Sequence, residues 1–177
     1  MLDCLAPTAK DVVVTLGDYI DRGPSSPEVL DQLIALQRTV RLRPLMGNHE
    51  RLLLLAVEEE SELEFWLRSG GQPTLDAYGT MASIPDSHLE FMRGCLRFLD
   101  METDFFVHAN YLPALPLDQQ SEFTLLWEHL TTHFPAPHVS GKRAIVGHTP
   151  QRSGDPFVRP HLVDLDTFCY GGGWLTG

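Results

Sequence analysis

The chain alternates short apolar runs with stripes of apolar residues at helical spacing. Asp11-Val12-Val13-Val14-Thr15-Leu16-Gly17 is a β-branched run ended by glycine and reads as a buried strand. Ser25-Ser26-Pro27-Glu28 then sets an N-cap serine ahead of a proline at the first helical position, and Val29, Leu30, Leu33, Ile34 and Leu36 follow at helical spacing. Val40, Leu42, Leu45 and Met46 predict a second strand that stops at Gly47. Strand, helix, strand is the pattern of a sheet with at least one parallel pair.

A further helix is predicted from about His49 through Leu52, Leu55, Ala56 and Val57, with Glu58-Glu59-Glu60, Glu62 and Glu64 as its solvated flank. Ser69-Gly70-Gly71-Gln72-Pro73 reads as a loop, because glycine and proline interrupt the helical pattern. Leu89, Met92, Leu96 and Leu99 predict another amphipathic helix, and Asp104 to His108 a strand. Phe123, Leu126, Trp127 and Leu130 fall on one helix face. Arg143-Ala144-Ile145-Val146-Gly147 is a further buried strand, and His161 to Asp166 one more. No repeat, low-complexity segment or linker interrupts the pattern, so one α/β domain is expected.

Composition narrows the function classes. With 177 residues of which 43% are apolar, the chain is long enough to bury a core. Thirteen basic against 24 acidic residues give a net charge of −11, which argues against sequence-blind binding of nucleic acid. A local phosphate site is still open to it, since metal ions can supply positive charge. No apolar stretch is long enough to span a membrane, and Met1 to Pro7 lacks the basic and apolar regions of a signal peptide. Cys4, Cys95 and Cys169 are odd in number and widely spaced, and read as reduced packing residues in a cytoplasmic protein.

The chemistry gathers where the strands end. Leu16-Gly17-Asp18, Met46-Gly47-Asn48-His49, Val107-His108 and Val146-Gly147-His148 each close an apolar run with residues able to ligate metal. Loops at strand ends are where α/β sheets collect ligands, and a mixed set of Asp, Asn and His suits Mn, Fe or Zn. Any one such histidine is ordinarily structural; four strand ends of this kind in one short chain are not explained that way. Gly17-Asp18-Tyr19-Ile20-Asp21-Arg22-Gly23 is the densest segment. Asp18 offers two oxygens, and Arg22 a planar fork matched to phosphate. A plain surface turn with an Asp–Arg pair, worth roughly 0–1 kcal/mol, accounts for Gly23-Pro24 but not for Gly-Asn-His-Glu at the next strand end.

In this order and spacing, Gly17 to Gly23, Gly47-Asn48-His49-Glu50, Phe106-Val107-His108-Ala109 and Gly147-His148-Thr149-Pro150 resemble successive motifs of the phosphoprotein phosphatases, within the calcineurin-like metallophosphoesterases. Trp66 to Gly71, Thr74-Leu75, Tyr78-Gly79 and Asp166 to Gly172 resemble stretches of the bacterial protein phosphatases of that family. The resemblance implies a β-sandwich of mixed sheets flanked by helices. It implies metal ligation by Asp18, Asn48, His108 and His148, with Asp18 bridging two divalent ions, Mn²⁺ or else Fe or Zn. Arg22 and Asn48 would bind the substrate, and His49, oriented by Asp21, would protonate the leaving alkoxide. The implied reaction is hydrolysis of phosphoserine or phosphothreonine monoesters by direct attack of a metal-bound hydroxide, with no phosphoenzyme. Hydrolysis of a dinucleoside polyphosphate or another small phosphoester is the alternative, and a non-catalytic single-metal remnant is a third. A monomer that engages neither nucleic acid nor membrane is expected.

Two departures from the family pattern stand out. A leading Gly-Asp-x-His-Gly motif is absent, and Met1 to Lys10 reads as the end of the helix that follows it. The domain over residues 1–177 is therefore expected to be incomplete at its N-terminus and also at its C-terminus, with a weak first metal site, reduced activity and less apolar cover over Val12 to Leu16. Relatives often carry an arginine where His129 stands; Arg152 is a candidate replacement. His129 and His133 lie four apart on a helix end but lack the rest of a zinc helix and read as surface or cap residues, and His88, His138 and His161 read as surface or loop residues. Tyr170 either lines the pocket or packs beside the glycines that follow it.

Overall fold

The computed structural model describes residues 5–177, and two compact units divide it, Ala6–Cys95 and Leu96–Gly177, with Leu5 belonging to the latter. In the first, strand β1 (Val12–Thr15) pairs in parallel with β2 (Arg41–Pro44), from Val12 opposite Arg41 to Thr15 opposite Pro44. Helix α1 (Ser26–Leu36) makes the crossover and buries Leu30 and Leu33. β1 is less buried than its apolar run predicts: Val12 is exposed and Val13 to Thr15 are half-buried. Among the described residues its only ladder partner is β2, so its other edge gains no cover from pairing. Ser25 occupies the N-cap of α1, but its side chain does not cap; the hydroxyl of Ser26 turns inward instead.

Helix α2 (Asn48–Glu58) starts immediately after Gly47 and buries Leu52, Leu53 and Leu54, while Glu58 to Glu60 are exposed as expected of a solvated flank. The predicted loop over residues 69–73 is instead a kink at Gly70 between two helical segments. A short helix α3 (Leu63–Trp66) runs into a wide five-residue turn, Leu67–Gly71, and then into α4 (Gln72–Tyr78). Gly70, at φ 121°, absorbs the break. Gly71 leaves room for Trp66, since a Cβ there would lie 2.4 Å from the indole. Pro73 does not break α4 because it sits in the first turn, where its missing N–H costs nothing.

Helix α5 (Asp86–Arg93) is shorter than predicted. Gly94 ends it, leaving Leu96 and Leu99 beyond, with Leu99 in a strand. His88 is not a surface residue. It is 3% exposed, with Nδ1 2.6 Å from the Tyr78 hydroxyl and Nε2 3.0 Å from the Asp31 carboxylate, so it links α5 to α4 and α1.

The second unit is a five-stranded mixed sheet in the order β3-β4-β5-β7-β6. Its centre is parallel, with β4 (Asp104–Val107), β5 (Arg143–Val146) and β7 (Leu162–Asp164) in register. Both edges, β3 (Phe98–Asp100) and β6 (Phe157–Arg159), run antiparallel, and each is only three residues long, too short to leave a period in the sequence. Ala144, Ile145 and Val146 are all buried, as befits a central parallel strand.

The predicted stripe through Leu130 yields only helix α6 (Glu122–Leu126), capped by the Ser121 hydroxyl on the Thr124 N–H. Its buried face is Thr124, Leu125 and Leu126, while Phe123 is 65% exposed. Leu130 is buried outside the helix, its N–H donating to Thr149 Oγ1. His138 is also buried, between Ser140 Oγ and the Leu115 carbonyl, and half-buried His161 donates from Nε2 to the Pro135 carbonyl. Cys95 is half-buried but Cys169 is exposed, so it does not pack; both are free thiols, and Cys4 lies outside the described residues. No helix among the described residues is long and apolar enough to cross a membrane.

Candidate functional site

In the Ala6–Cys95 unit the loop after β1 is held against the N-terminus of α2 by one side chain. Glu50, fully buried in the first turn of α2, accepts four backbone N–H groups: Gly47 (3.0 Å) and Asp18 (2.8 Å) on Oε2, Tyr19 (2.7 Å) and Ile20 (3.3 Å) on Oε1. Burial and then the charge of Asp18 push its carboxyl up, to about 7, against the pull of these donors. Gly47 permits the close approach, since a Cβ there would stand 2.4 Å from both Asp18 N and Asp18 Oδ1. Asp18 therefore presents its carboxylate at a helix N-terminus, with the His49 N–H 3.4 Å from Oδ1, where the helix dipole favours negative charge. Tyr19 braces the strand ends, its hydroxyl accepting from Gly17 N–H at 3.1 Å and donating to the Leu45 carbonyl at 2.8 Å.

Backbone strain collects in the same loop. Asp18, Asp21 and Arg22 have φ of 56°, 75° and 61°, a region that non-glycine residues seldom adopt. Around Arg22 the Gly23 N–H donates to the Asp21 carbonyl at 2.6 Å, a γ-turn of the rare positive-φ kind. The Arg22 N–H donates to the Gly70 carbonyl at 2.9 Å, which holds the exposed Arg22 at the loop tip.

Asp21 and His49 form a buried pair, Oδ2 to Nδ1 at 2.7 Å. The carboxylate also accepts from Trp66, donating from Nε1 to Oδ2 at 3.0 Å, and from Thr74, donating from Oγ1 to Oδ1 at 2.8 Å. Burial opposes the charged imidazole, but the Asp21 hydrogen bond and the charges of Asp18 and Asp21 outweigh it and raise the His49 pKa. With Nδ1–H on Asp21, the group that faces chemistry is Nε2. Asn48, the first residue of α2, is buried beside His49.

In the Leu96–Gly177 unit two strand ends converge. His108 follows β4 and His148 follows Gly147 after β5, and His108 Nε2 lies 3.2 Å from His148 Nδ1. The Gly147 N–H donates to the His108 carbonyl at 2.8 Å, locking the two ends together. His148 is strained like Arg22: its φ is 64° and the Thr149 N–H closes a 2.7 Å γ-turn on the Gly147 carbonyl. The Trp127 carbonyl, 3.2 Å from His148 Nε2, selects the tautomer with hydrogen on Nε2 and a lone pair on Nδ1. Two nitrogens bound to one ion at about 2.0–2.1 Å lie roughly 3.0–3.4 Å apart, so the spacing of this pair fits joint ligation of a divalent cation.

The predicted residues thus fall into two groups: Asp18, Asp21, Arg22, Asn48 and His49 in one unit, His108 and His148 in the other. His129 is exposed and stacks on His148 with ring centroids 4.3 Å apart. His133 is half-buried, not at the surface, and its Nε2 has no hydrogen-bond partner. Arg152 is exposed and stacks over the Phe168 ring at 5.2 Å. Tyr170 is 51% exposed and meets Phe168 edge to face at 4.8 Å.

The roles of Glu50, Trp66, Thr74 and Ser26 were not read from the sequence. Only Glu50 carries a local signal, an acidic residue three positions after a helix cap.

Comparison with known proteins places the chain in a family. The calcineurin-like phosphoesterase family pattern matches residues 1–172. The chain is 29% identical over 182 residues to serine/threonine-protein phosphatase 1 of Salmonella typhimurium, a match covering 98% of this chain and 81% of that protein. A shorter match, 46% over 48 residues, covers 27% of this chain and 16% of a symmetrical bis(5'-nucleosyl)-tetraphosphatase of Acidovorax. Among solved structures, a protein provisionally called a diadenosine tetraphosphatase superposes with a TM-score of 0.68 at 21% identity, covering 97% of this chain and 78% of that one. A cold-active protein tyrosine phosphatase superposes at 0.67 and 18% identity, covering 91% and 60%; both likenesses speak for the fold alone. With a family match over nearly its whole length, the chain belongs to the calcineurin-like phosphoesterases, metal-dependent hydrolases of phosphate esters.

Proposed function

We propose that this chain hydrolyses phosphoserine and phosphothreonine monoesters in proteins, with Asp18, Asn48, His108 and His148 holding divalent cations. The observation that carries the reading is the buried Asp21–His49 pair, in which Nδ1 is engaged by the carboxylate at 2.7 Å and Nε2 is left to serve as the proton donor. Bound divalent cations supply Lewis-acid charge and an activated water. The chain's own residues do the rest. Arg22 grips phosphate oxygens through its planar fork. Asn48 adds an amide donor to the substrate. His49 delivers its Nε2 proton to the departing seryl or threonyl oxygen, a contribution of roughly 10²–10⁴ in rate. The similarity to serine/threonine-protein phosphatase 1 along 98% of the chain supports the choice of substrate.

A second reading, hydrolysis of a dinucleoside polyphosphate, is favoured by the 46% identity over 48 residues to a bis(5'-nucleosyl)-tetraphosphatase. Assay of the purified chain with Mn²⁺ against phosphoserine peptides and diadenosine tetraphosphate separates the two. Faster release of phosphate from the peptides upholds the proposal; turnover of the dinucleotide alone replaces it with the second reading. Zn²⁺ and Fe²⁺ in place of Mn²⁺ identify the effective ion.

A further inference from the structure

The carboxylate that orients His49 is itself oriented by a chain of donors whose protons can be assigned one by one. The Thr74 hydroxyl has a single proton, and its 2.8 Å contact to Asp21 Oδ1 commits that proton, since a carboxylate only accepts. In the Ser26–Thr74 contact, also 2.8 Å, Ser26 must then be the donor. The second lone pair of Thr74 Oγ1 receives the Asp21 backbone N–H at 2.9 Å. Thr74 therefore grips Asp21 at both main chain and side chain, and is itself held by Ser26; Thr74 is fully buried and Ser26 3% exposed.

On the other oxygen, Trp66 Nε1–H and His49 Nδ1 share Oδ2, so the indole sets the rotation of the carboxylate about its axis. Trp66 holds this place because Gly71 leaves its ring room, and neighbouring Gly70 holds the Arg22 main chain.

We infer that Thr74 and Trp66 are positioning residues: they fix the plane of the Asp21 carboxylate and thereby the direction of His49 Nε2–H toward the leaving oxygen of the substrate. The catalytic part of this inference rests on the acid role proposed for His49; the positioning part does not. Two measurements keep them apart. In proton NMR, the low-field Nδ1–H signal of His49, assigned by its loss in His49→Asn, is expected to shift or broaden in Thr74→Val and Trp66→Phe and to return in Thr74→Ser. An unchanged signal in both Thr74→Val and Trp66→Phe, each shown folded by thermal melting, overturns the inference.

In kinetics with Mn²⁺, Thr74→Val is expected to lose roughly tenfold or more in kcat on a phosphoserine peptide while p-nitrophenyl phosphate, with its good leaving group, is spared, and Thr74→Ser is expected to recover most of the loss. Equal losses on both substrates in Thr74→Val, with the normal contrast retained in His49→Asn, overturn the catalytic part. Loss of that contrast in His49→Asn as well refutes the acid role of His49 and leaves the NMR result to decide on positioning.

Discussion

Glu50 accepts the backbone N–H of Asp18 across 32 residues of sequence, so a buried helix-start carboxylate sets where the foremost candidate metal ligand sits. The same carboxylate takes the N–H groups of Tyr19, Ile20 and Gly47. Asp18 stays in its left-handed conformation because both neighbouring peptides are tied to one rigid acceptor.

Glu50→Gln is expected to destabilise the fold by about 2–4 kcal/mol, because the amide turns an NH₂ toward N–H donors and leaves them buried without an acceptor. Urea unfolding measures the loss, and Mn²⁺ affinity by calorimetry is expected to fall with it. Unchanged stability would show that Glu50 does not hold the loop.

Gly47→Ala isolates the steric part of this arrangement. Gly47 has φ −96°, which alanine adopts freely, so any cost comes from the added Cβ pressing on Asp18. A loss of about 1–3 kcal/mol is expected, with weaker Mn²⁺ binding, read by the same two methods.

His108→Asn and Asp18→Asn each remove a proposed ligand, one from each unit. Each variant is expected to bind Mn²⁺ more than about tenfold more weakly and to lose turnover in parallel. Calorimetry on the variants checks this; full affinity in either excludes that residue from the ligand set.

Asp164, opposite Val146 in the sheet, supplies a pH test. Burial pushes its carboxyl from the ordinary 3.8 up to about 7, partly opposed by hydrogen bonds from the Asp166 N–H and the Gln151 amide. Between these two values the unfolded chain has released the proton while the folded chain retains it, so stability from this group falls as pH rises. The effect is on the order of 4 kcal/mol at most. Asp164→Asn is expected to flatten that part of the profile, so the difference in urea midpoint between wild type and variant changes from pH 4 to pH 8. An equal difference at both pH values would show that Asp164 is not perturbed.

The legible part of the site was local. Asp18, Asn48, His49, His108 and His148 could be singled out because each closes an apolar run at a glycine or a strand end, a pattern contained within a few residues. Thr74 and Trp66 could not be assigned a role in that way. Their partner is Asp21, 53 and 45 residues away in sequence, and a hydrogen bond over that distance leaves no period behind. His88 and His138 were misjudged for the same reason: an isolated histidine reads as polar until its buried partners are known.

The sequence by itself determined the parallel strand–helix–strand start, the central strands of the second sheet and the positions where polar chemistry interrupts apolar runs, because these follow from periodicity and glycine. Only the tertiary structure decided that the Gly-Gly-x-Pro segment is a kink between two helices, that α5 and α6 stop early, and that Glu50, Trp66 and Thr74 hold the loop and the acid. A side chain's role in a buried hydrogen-bond network depends on which distant donors and acceptors it meets, and folding alone brings those together.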